Sequence, residues 1–311
     1  MGMTAFILGR LLSAVPIFLA ISLIIFVLMF VVPGDPITAM LDPRAASLNP
    51  EMLARMRAQW GLDDPIHVRY FRFLGNILQG DLGISYRTRL PVTEEILARF
   101  PATAQLAFYA MIWATGVGIT LGVISAVKQY SILDTGSMVV ALAGVSMPVF
   151  WLGLMLMYLV GVLWPILPPS GYGTWRHMVL PTITLGAAMT GLFARLTRSS
   201  MLSVTRLEYI TTARAKGLSE RMVIYKHALR NALMPVVTMA GLQLATLMGG
   251  AVITESVFAI PGVGRLTIDS ISWRDMPTVQ GCVLFLAVAF VMVNLTVDVL
   301  YAFIDPRVRY D

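Results

Sequence analysis

The sequence predicts an all-α integral membrane protein with six transmembrane helices, a folded helical cap on one side of the lipid and a basic helical segment on the other. Three observations carry this. Only 13% of the 311 residues are charged and 57% are hydrophobic, with a mean hydropathy of +0.77. Uncharged apolar runs near the roughly 20 residues that a bilayer crossing needs recur along the chain. Finally, Arg195–Leu233 holds eight basic and two acidic residues, which is the whole of the net +6. Charge gathered in one loop beside apolar runs follows the positive-inside bias and argues against a nucleic-acid partner.

The first run, Leu11–Val32, is longer than the roughly 7–15 apolar residues of a cleaved signal peptide. It ends in Val32-Pro33-Gly34-Asp35-Pro36 and reads as a retained helix. The other runs are Ala102–Val127, Thr135–Leu163, Met178–Ala194, Pro235–Thr254 and Met276–Val297. Pro148 interrupts the third and predicts a kink. Six crossings put both termini on one side, together with Lys128, Lys216 and Lys226. The short loops opposite hold Arg176, Arg265 and Arg274. The loop Pro33–Arg99 carries eight arginines matched by eight acids, and loops beyond about 60 residues largely escape the charge bias. Both termini are therefore expected in the cytoplasm. The expected organisation is a first helix over 1–32, an extracytoplasmic cap over 33–101 and a five-helix core over 102–311, with a cytoplasmic loop over 199–233.

The cap carries helix punctuation. Asn49-Pro50-Glu51 supplies an N-cap, a proline at the first helical position and an acid in the first turn, predicting a helix over Glu51–Trp60 that Gly61 closes. Asp64-Pro65 begins a second helix and Gly80 ends it. Ile66, Tyr70, Phe73, Leu74 and Ile77 recur within it at helical spacing, a stripe that needs a surface to bury against. A third short helix is expected over Thr93–Arg99.

Small residues recur four apart at Gly241, Ala245 and Gly249, and at Gly118 and Gly122, a spacing that lets backbones approach closely in lipid. Glycine is also common in membrane helices for no such reason.

The basic segment reads as helix, glycine turn, helix. Glu208 suits a helix start and Lys216 a helix end; Gly217 can take the left-handed cap conformation, and Ser219 can cap the second helix. Met222, Tyr225 and Leu229 form the expected apolar stripe. Leu207 and Ile210 need a partner, and the small turn Ala215-Lys216-Gly217-Leu218 admits another surface. A basic amphipathic helix resting on anionic lipid is the alternative, but the arginines are spread around both helices, which favours docking to a cytoplasmic protein.

Signals for catalysis are missing from the sequence. No lysine follows a glycine as a P-loop requires, the three histidines are far apart, and no Gly-x-Ser-x-Gly elbow occurs. Cys282 is the single cysteine and reads as an apolar packing residue.

Arg206–Val237 resembles the cytoplasmic loop of binding-protein-dependent ABC importer permeases of the peptide type. The family pattern is Glu-Ala-Ala, three residues, then Gly; here Thr211-Thr212-Ala213 precedes Gly217 by the same interval, with two of the three leading residues departing. Further stretches resemble the same branch in order: Pro33-Gly34-Asp35-Pro36, Trp60-Gly61-Leu62-Asp63, Gly80-Asp81-Leu82-Gly83, Pro148–Gly153, Arg195-Leu196-Thr197-Arg198, Gly249-Gly250, Pro261-Gly262-Val263-Gly264 and Asp305-Pro306-Arg307.

The resemblance implies a type I ABC importer permease fold and half of a translocation pore, completed by a second homologous permease subunit. Two ABC ATPase subunits would bind ATP and magnesium below, with no cofactor in this chain, and an extracytoplasmic substrate-binding protein would deliver di- or oligopeptides above. Glutathione or nickel are alternative cargoes of the same machinery. Thr212, Ala213, Arg214, Ala215, Lys216, Gly217 and Leu218 would form the coupling helix to an ATPase. Gly241, Ala245, Gly249 and Glu255 are candidate pore or gate positions. An ion-coupled secondary transporter is the competing class; it would place ionisable groups near the bilayer centre, whereas Glu255 and Asp298 fall near helix ends.

Overall fold

The computed structural model describes residues 3–31, 55 and 63–304. The helix expected over Glu51–Trp60, like the Pro33–Pro36 and Asp305–Arg307 stretches, falls outside the described residues, Arg55 excepted. The chain runs through helices α1 (Met3–Val31), α2 (Ile66–Leu78), α3 (Val92–Val127), α4 (Ile132–Ser146) and α5 (Val149–Leu163). It continues through α6 (Trp175–Val204), α7 (Glu208–Ala215), α8 (220–232), α9 (Met234–Phe258), α10 (Val263–Ser272) and α11 (Met276–Ile304).

Five of these helices, α1, α3, α6, α9 and α11, are long and apolar enough to cross a membrane, and α4 with α5 makes a sixth span broken by a bend of 106°. Pro148 causes the break: it lacks an N–H and pushes the residue before it into extended backbone, and Met147 sits at φ −88°, ψ 132°. The second span differs from expectation at its start. Thr93–Arg99 is no separate helix but the first turns of α3, which continues unbroken through Pro101. Glu94 and Glu95 in its first turn favour that earlier start.

Apolar area alone does not drive helices together in lipid; close van der Waals approach does. The glycines supply it. A Cβ on Gly118 of α3 would lie 2.5 Å from the Cβ of Phe193 in α6, and one on Gly122 would lie 2.6 Å from the Ala194 carbonyl. On the other side of α6, a Cβ on Gly191 would lie 2.7 Å from the Ala141 carbonyl in α4. Around this seam α3, α6 and α9 bury a common core that includes Leu106, Ala110, Leu185, Phe193, Leu247 and Phe258.

Each end of the bundle is tied by a buried carboxylate. At one end Asp275 accepts hydrogen bonds from the Ser85 hydroxyl (2.5 Å), the Tyr86 N–H (3.0 Å) and the Thr278 hydroxyl (2.8 Å), while the Arg87 guanidinium lies 3.1 Å from the Trp273 ring centre. These contacts pin the segment after α2 onto the start of α11. The α2 stripe finds its surface on α1: Tyr70, Phe73, Leu74 and Ile77 are half-buried, Tyr70 packs edge-on to Phe26 at 5.3 Å, and its hydroxyl is 3.0 Å from that of Ser22. Ile66 alone remains exposed. At the opposite end Asp134 of α4 accepts from Arg198 Nε and Nη2 at 3.0 and 2.9 Å, from the Tyr130 N–H at 3.0 Å and from the Ser125 hydroxyl.

Candidate functional site

The segment between α6 and α9 folds as an elbow beyond the end of the bundle. α7 ends in paired hydrogen bonds, from Gly217 N–H to the Arg214 carbonyl (2.9 Å) and from Leu218 N–H to the Ala213 carbonyl (3.4 Å). This is the Schellman arrangement, which needs a left-handed residue at its centre; Gly217 has φ +76°. Ser219 occupies the N-cap position of α8 with extended backbone, although its hydroxyl makes no capping bond.

Inside α8 the residues Val223–Ala228 form a π-helical turn. Its wider winding places Val223 and Ala228, five apart, on one face, and both are buried with Ile224 and Ala232. The expected stripe of Met222, Tyr225 and Leu229 is therefore corrected: Met222 and Tyr225 are exposed, at 43% and 58%. An uninterrupted α-helical period would have kept those three residues on one face; the π turn rotates it.

The elbow is seated on the bundle. Ile210 and Ala213 of α7 join Val223 and Ala228 of α8 in one buried cluster with Val123 at the end of α3 and Met201 of α6. Asn231 Nδ2 donates to the Tyr209 hydroxyl at 2.7 Å and closes the two helices from the outside. Ile210 thus finds its partner within this chain, whereas Leu207 remains 49% exposed. Of the turn residues, Ala213 is buried and Leu218 half-buried; Thr212, Arg214, Ala215, Lys216 and Gly217 face outward. A Cβ on Gly217 would meet nothing within 4 Å. The outward surface is a small-residue turn rimmed by Leu207, Met222, Tyr225 and basic side chains.

The α9 positions divide. Ala245 is fully buried, Gly241 is half-buried, and Gly249 is exposed, with nothing within 4 Å of an added Cβ. Glu255 is also fully buried. Its Oε2 accepts the Arg265 N–H at 3.0 Å, and the carboxylate fills the space a side chain at Gly262 would need. It holds the first turn of α10 against α9, with Arg265 Nη1 donating to the Ala259 carbonyl at 2.8 Å. The sequence puts Glu255 near a helix end but carries no signal for this backbone partner, ten residues on. Among the described residues no group of His, Cys, Asp and Glu could hold a metal ion.

Apolar spans joined by close glycine contacts, with a polar elbow seated on two of them beyond one end, define a polytopic helical membrane protein. The comparisons say which. The family "Binding-protein-dependent transport system inner membrane component" matches residues 118–310, and its companion for the N-terminal part matches residues 3–107; the chain belongs to this family. The dipeptide transport system permease protein DppB of Escherichia coli K12 is 44% identical over 339 residues, covering 99% of both chains. The glutathione transport system permease protein GsiC of Salmonella paratyphi A is 44% identical over 308 residues, covering 99% of this chain and all of the relative. The inward-facing MetNI methionine ABC transporter shares the fold, with a TM-score of 0.57 over 68% of this chain and 96% of that one, at 20% identity. The chain is a permease subunit of an ABC importer.

Proposed function

We propose that this subunit forms half of a pore that imports small peptides, with a second homologous permease, two ATPases below and a substrate-binding protein above. ATP and magnesium belong to the ATPases, and this chain carries out no catalysis. The observation that carries the reading is the elbow's two-sidedness: its turn is bare while its back is buried against α3 and α6. Thr212–Leu218 is the part an ATPase grips, Arg214, Ala215, Lys216 and Gly217 outermost, with Ala213 and Leu218 anchoring the turn from behind. Motion of the ATPases passes through Ile210 and Val223 into the bundle as rigid-body displacement. It biases the pore only because the ATPases hold its two states with different free energies.

The membrane is the bacterial inner membrane, with both termini and the elbow in the cytoplasm and the α2 region outside, an orientation that the positive-inside bias supports. The open side of α9 around Gly249, continuing through Gly241, meets the second permease and borders the pore. Ala245 supports that helix from within, and Glu255 acts at the outer gate by fixing α10. Cargo is a di- or oligopeptide, and the GsiC likeness extends this class to glutathione.

Reconstitution tests the reading. The full chain is copurified with the products of neighbouring genes and assayed in proteoliposomes for ATP-driven uptake of labelled dipeptide and glutathione. Uptake should require ATP, both permeases and the binding protein. Transport by this chain alone, or uptake that follows a proton gradient without ATPases, would replace the heteromeric reading with a secondary transporter.

A further inference from the structure

Along the seam between α4 and α6 lies a groove of about 500 Å³ that the transport cycle described above leaves without a role. Its α6 wall presents Arg195, Arg198, Ser199, Leu202 and Ser203, Arg206 closes it from the turn just after α6, and its α4 wall is apolar, with Met138 and Leu142. Among the described residues only Arg198 of these has a carboxylate partner, Asp134. Arg195 is held by a single bond from Nε to the Gly191 carbonyl at 3.3 Å, and Arg206 makes no side-chain bond among the described residues. Two guanidinium groups therefore stand over an apolar wall with no salt-bridge partner among the described residues. The groove lies at the elbow end of the bundle, where Tyr130 in the turn before α4 and Ile132 at its start are 89% and 91% exposed, and α4 continues with exposed Val139, Val140 and Val145.

We propose that this groove binds an anionic phospholipid, its phosphate between Arg195 and Arg206 and an acyl chain along Met138 and Leu142. Charge and shape both select that occupant. Arginine forks match phosphate oxygens, and basic pockets between membrane helices at the cytoplasmic side are suited to phospholipid headgroups. The apolar α4 wall would be wasted on a free anion. Arg195 lies within α6 and Arg206 two residues past its end at Val204, so the two guanidinium groups mark the length of the groove and a headgroup lies along it. Asp134 neutralises Arg198 and keeps it structural. Bound lipid would brace α4 against α6 one turn from the point where the elbow departs, so headgroup composition would set how stiffly the lever is mounted.

The test uses the full chain in detergent, titrated with phosphatidylglycerol or phosphatidylcholine and observed by native mass spectrometry. Wild type should retain phosphatidylglycerol in preference by roughly tenfold or more. Combined Arg195→Gln and Arg206→Gln should reduce retention to the phosphatidylcholine level, while Arg221→Gln, outside the groove, should leave the preference intact. Gel filtration checks that the double variant is folded, and a folded double variant that keeps the preference overturns the assignment. So does complete displacement of the lipid by millimolar inorganic phosphate, which would mark a free-anion site, or by the partner ATPases, which would mark a protein contact.

Discussion

Arg214 reaches across the turn at Gly217 and donates to both carboxylate oxygens of Glu220, from Nε at 3.1 Å and Nη2 at 2.7 Å. The two ends of the elbow are clasped over its most mobile residue type. The guanidinium holds the Glu220 carboxyl below the usual carboxylate range, and Glu220 in turn raises the Arg214 guanidinium above its ordinary value. Both side chains are about half exposed, so screening limits the pair to about 1 kcal/mol or less. The clasp stiffens the turn more than it stabilises the fold.

The sign of its pH dependence follows. A carboxyl with a depressed folded-state pKa contributes fully above its unfolded value, about 4.3, and the contribution is lost as pH falls through the folded value. A spin label placed by Ala215→Cys should therefore be as immobile at pH 5.5 as at pH 7.5, and should loosen only below about pH 4. Glu220→Gln should loosen it at every pH. Equal mobility with and without Glu220 would show that the clasp does not stiffen the turn.

Gly217→Val should abolish ATP-driven uptake while leaving the amount of subunit in the membrane unchanged. The strain is in the backbone, about 1–2 kcal/mol for a side chain in the left-handed region, because no neighbour in this chain approaches a Cβ there. Asparagine tolerates that region, so Gly217→Asn should keep more activity than valine. Wild-type uptake by the valine variant would remove the turn from the coupling path.

Gly118 and Gly249 should separate packing within the subunit from packing between subunits. Gly118→Ala forces a methyl group against Phe193 and should destabilise the detergent-purified chain by about 1–3 kcal/mol, read as a lowered melting temperature. Gly249→Ala meets open space and should leave that temperature unchanged while reducing uptake by the assembled importer. Normal uptake by Gly249→Ala would place the contact with the second permease elsewhere.

Glu255→Ala should expose the cost of an unpartnered buried amide, about 1–3 kcal/mol. Hydrogen exchange at the Arg265 amide should accelerate, because its acceptor is gone, and melting should fall. Glu255→Gln keeps an acceptor oxygen and should change exchange much less. Full protection in the alanine variant would mean that α10 is held by other contacts.

The spans, the helix–glycine–helix elbow and the α2 stripe were legible because each rests on short-range chemistry: runs of apolar side chains, a proline at Pro148, a glycine at Gly217. The close approach at Gly118 and Gly122 was legible too, although nothing in the sequence identified α6 as the partner. Three features were not. The face that α8 buries was misread because a π turn has no sequence marker in Val223–Ala228. The short helix at Thr93–Arg99 was separated from the second span because the span was drawn as a charge-free run, which Glu94, Glu95 and Arg99 bound, whereas the helix begins at Val92. Ile210, expected to await a partner protein, is buried by Met201 and Val223 of its own chain.

The sequence by itself determined that this chain lives in lipid, where its apolar spans lie, and where it carries a polar elbow, since hydropathy, charge and turn chemistry act over a few residues. The tertiary structure alone decided which side of the elbow is exposed, how Asp134 meets Arg198 and which partner the Glu255 carboxylate takes. Those outcomes depend on groups from 10 to 64 residues apart, brought together only when glycine-lined helices close on one another. No local pattern records which of several possible partners such a group will face.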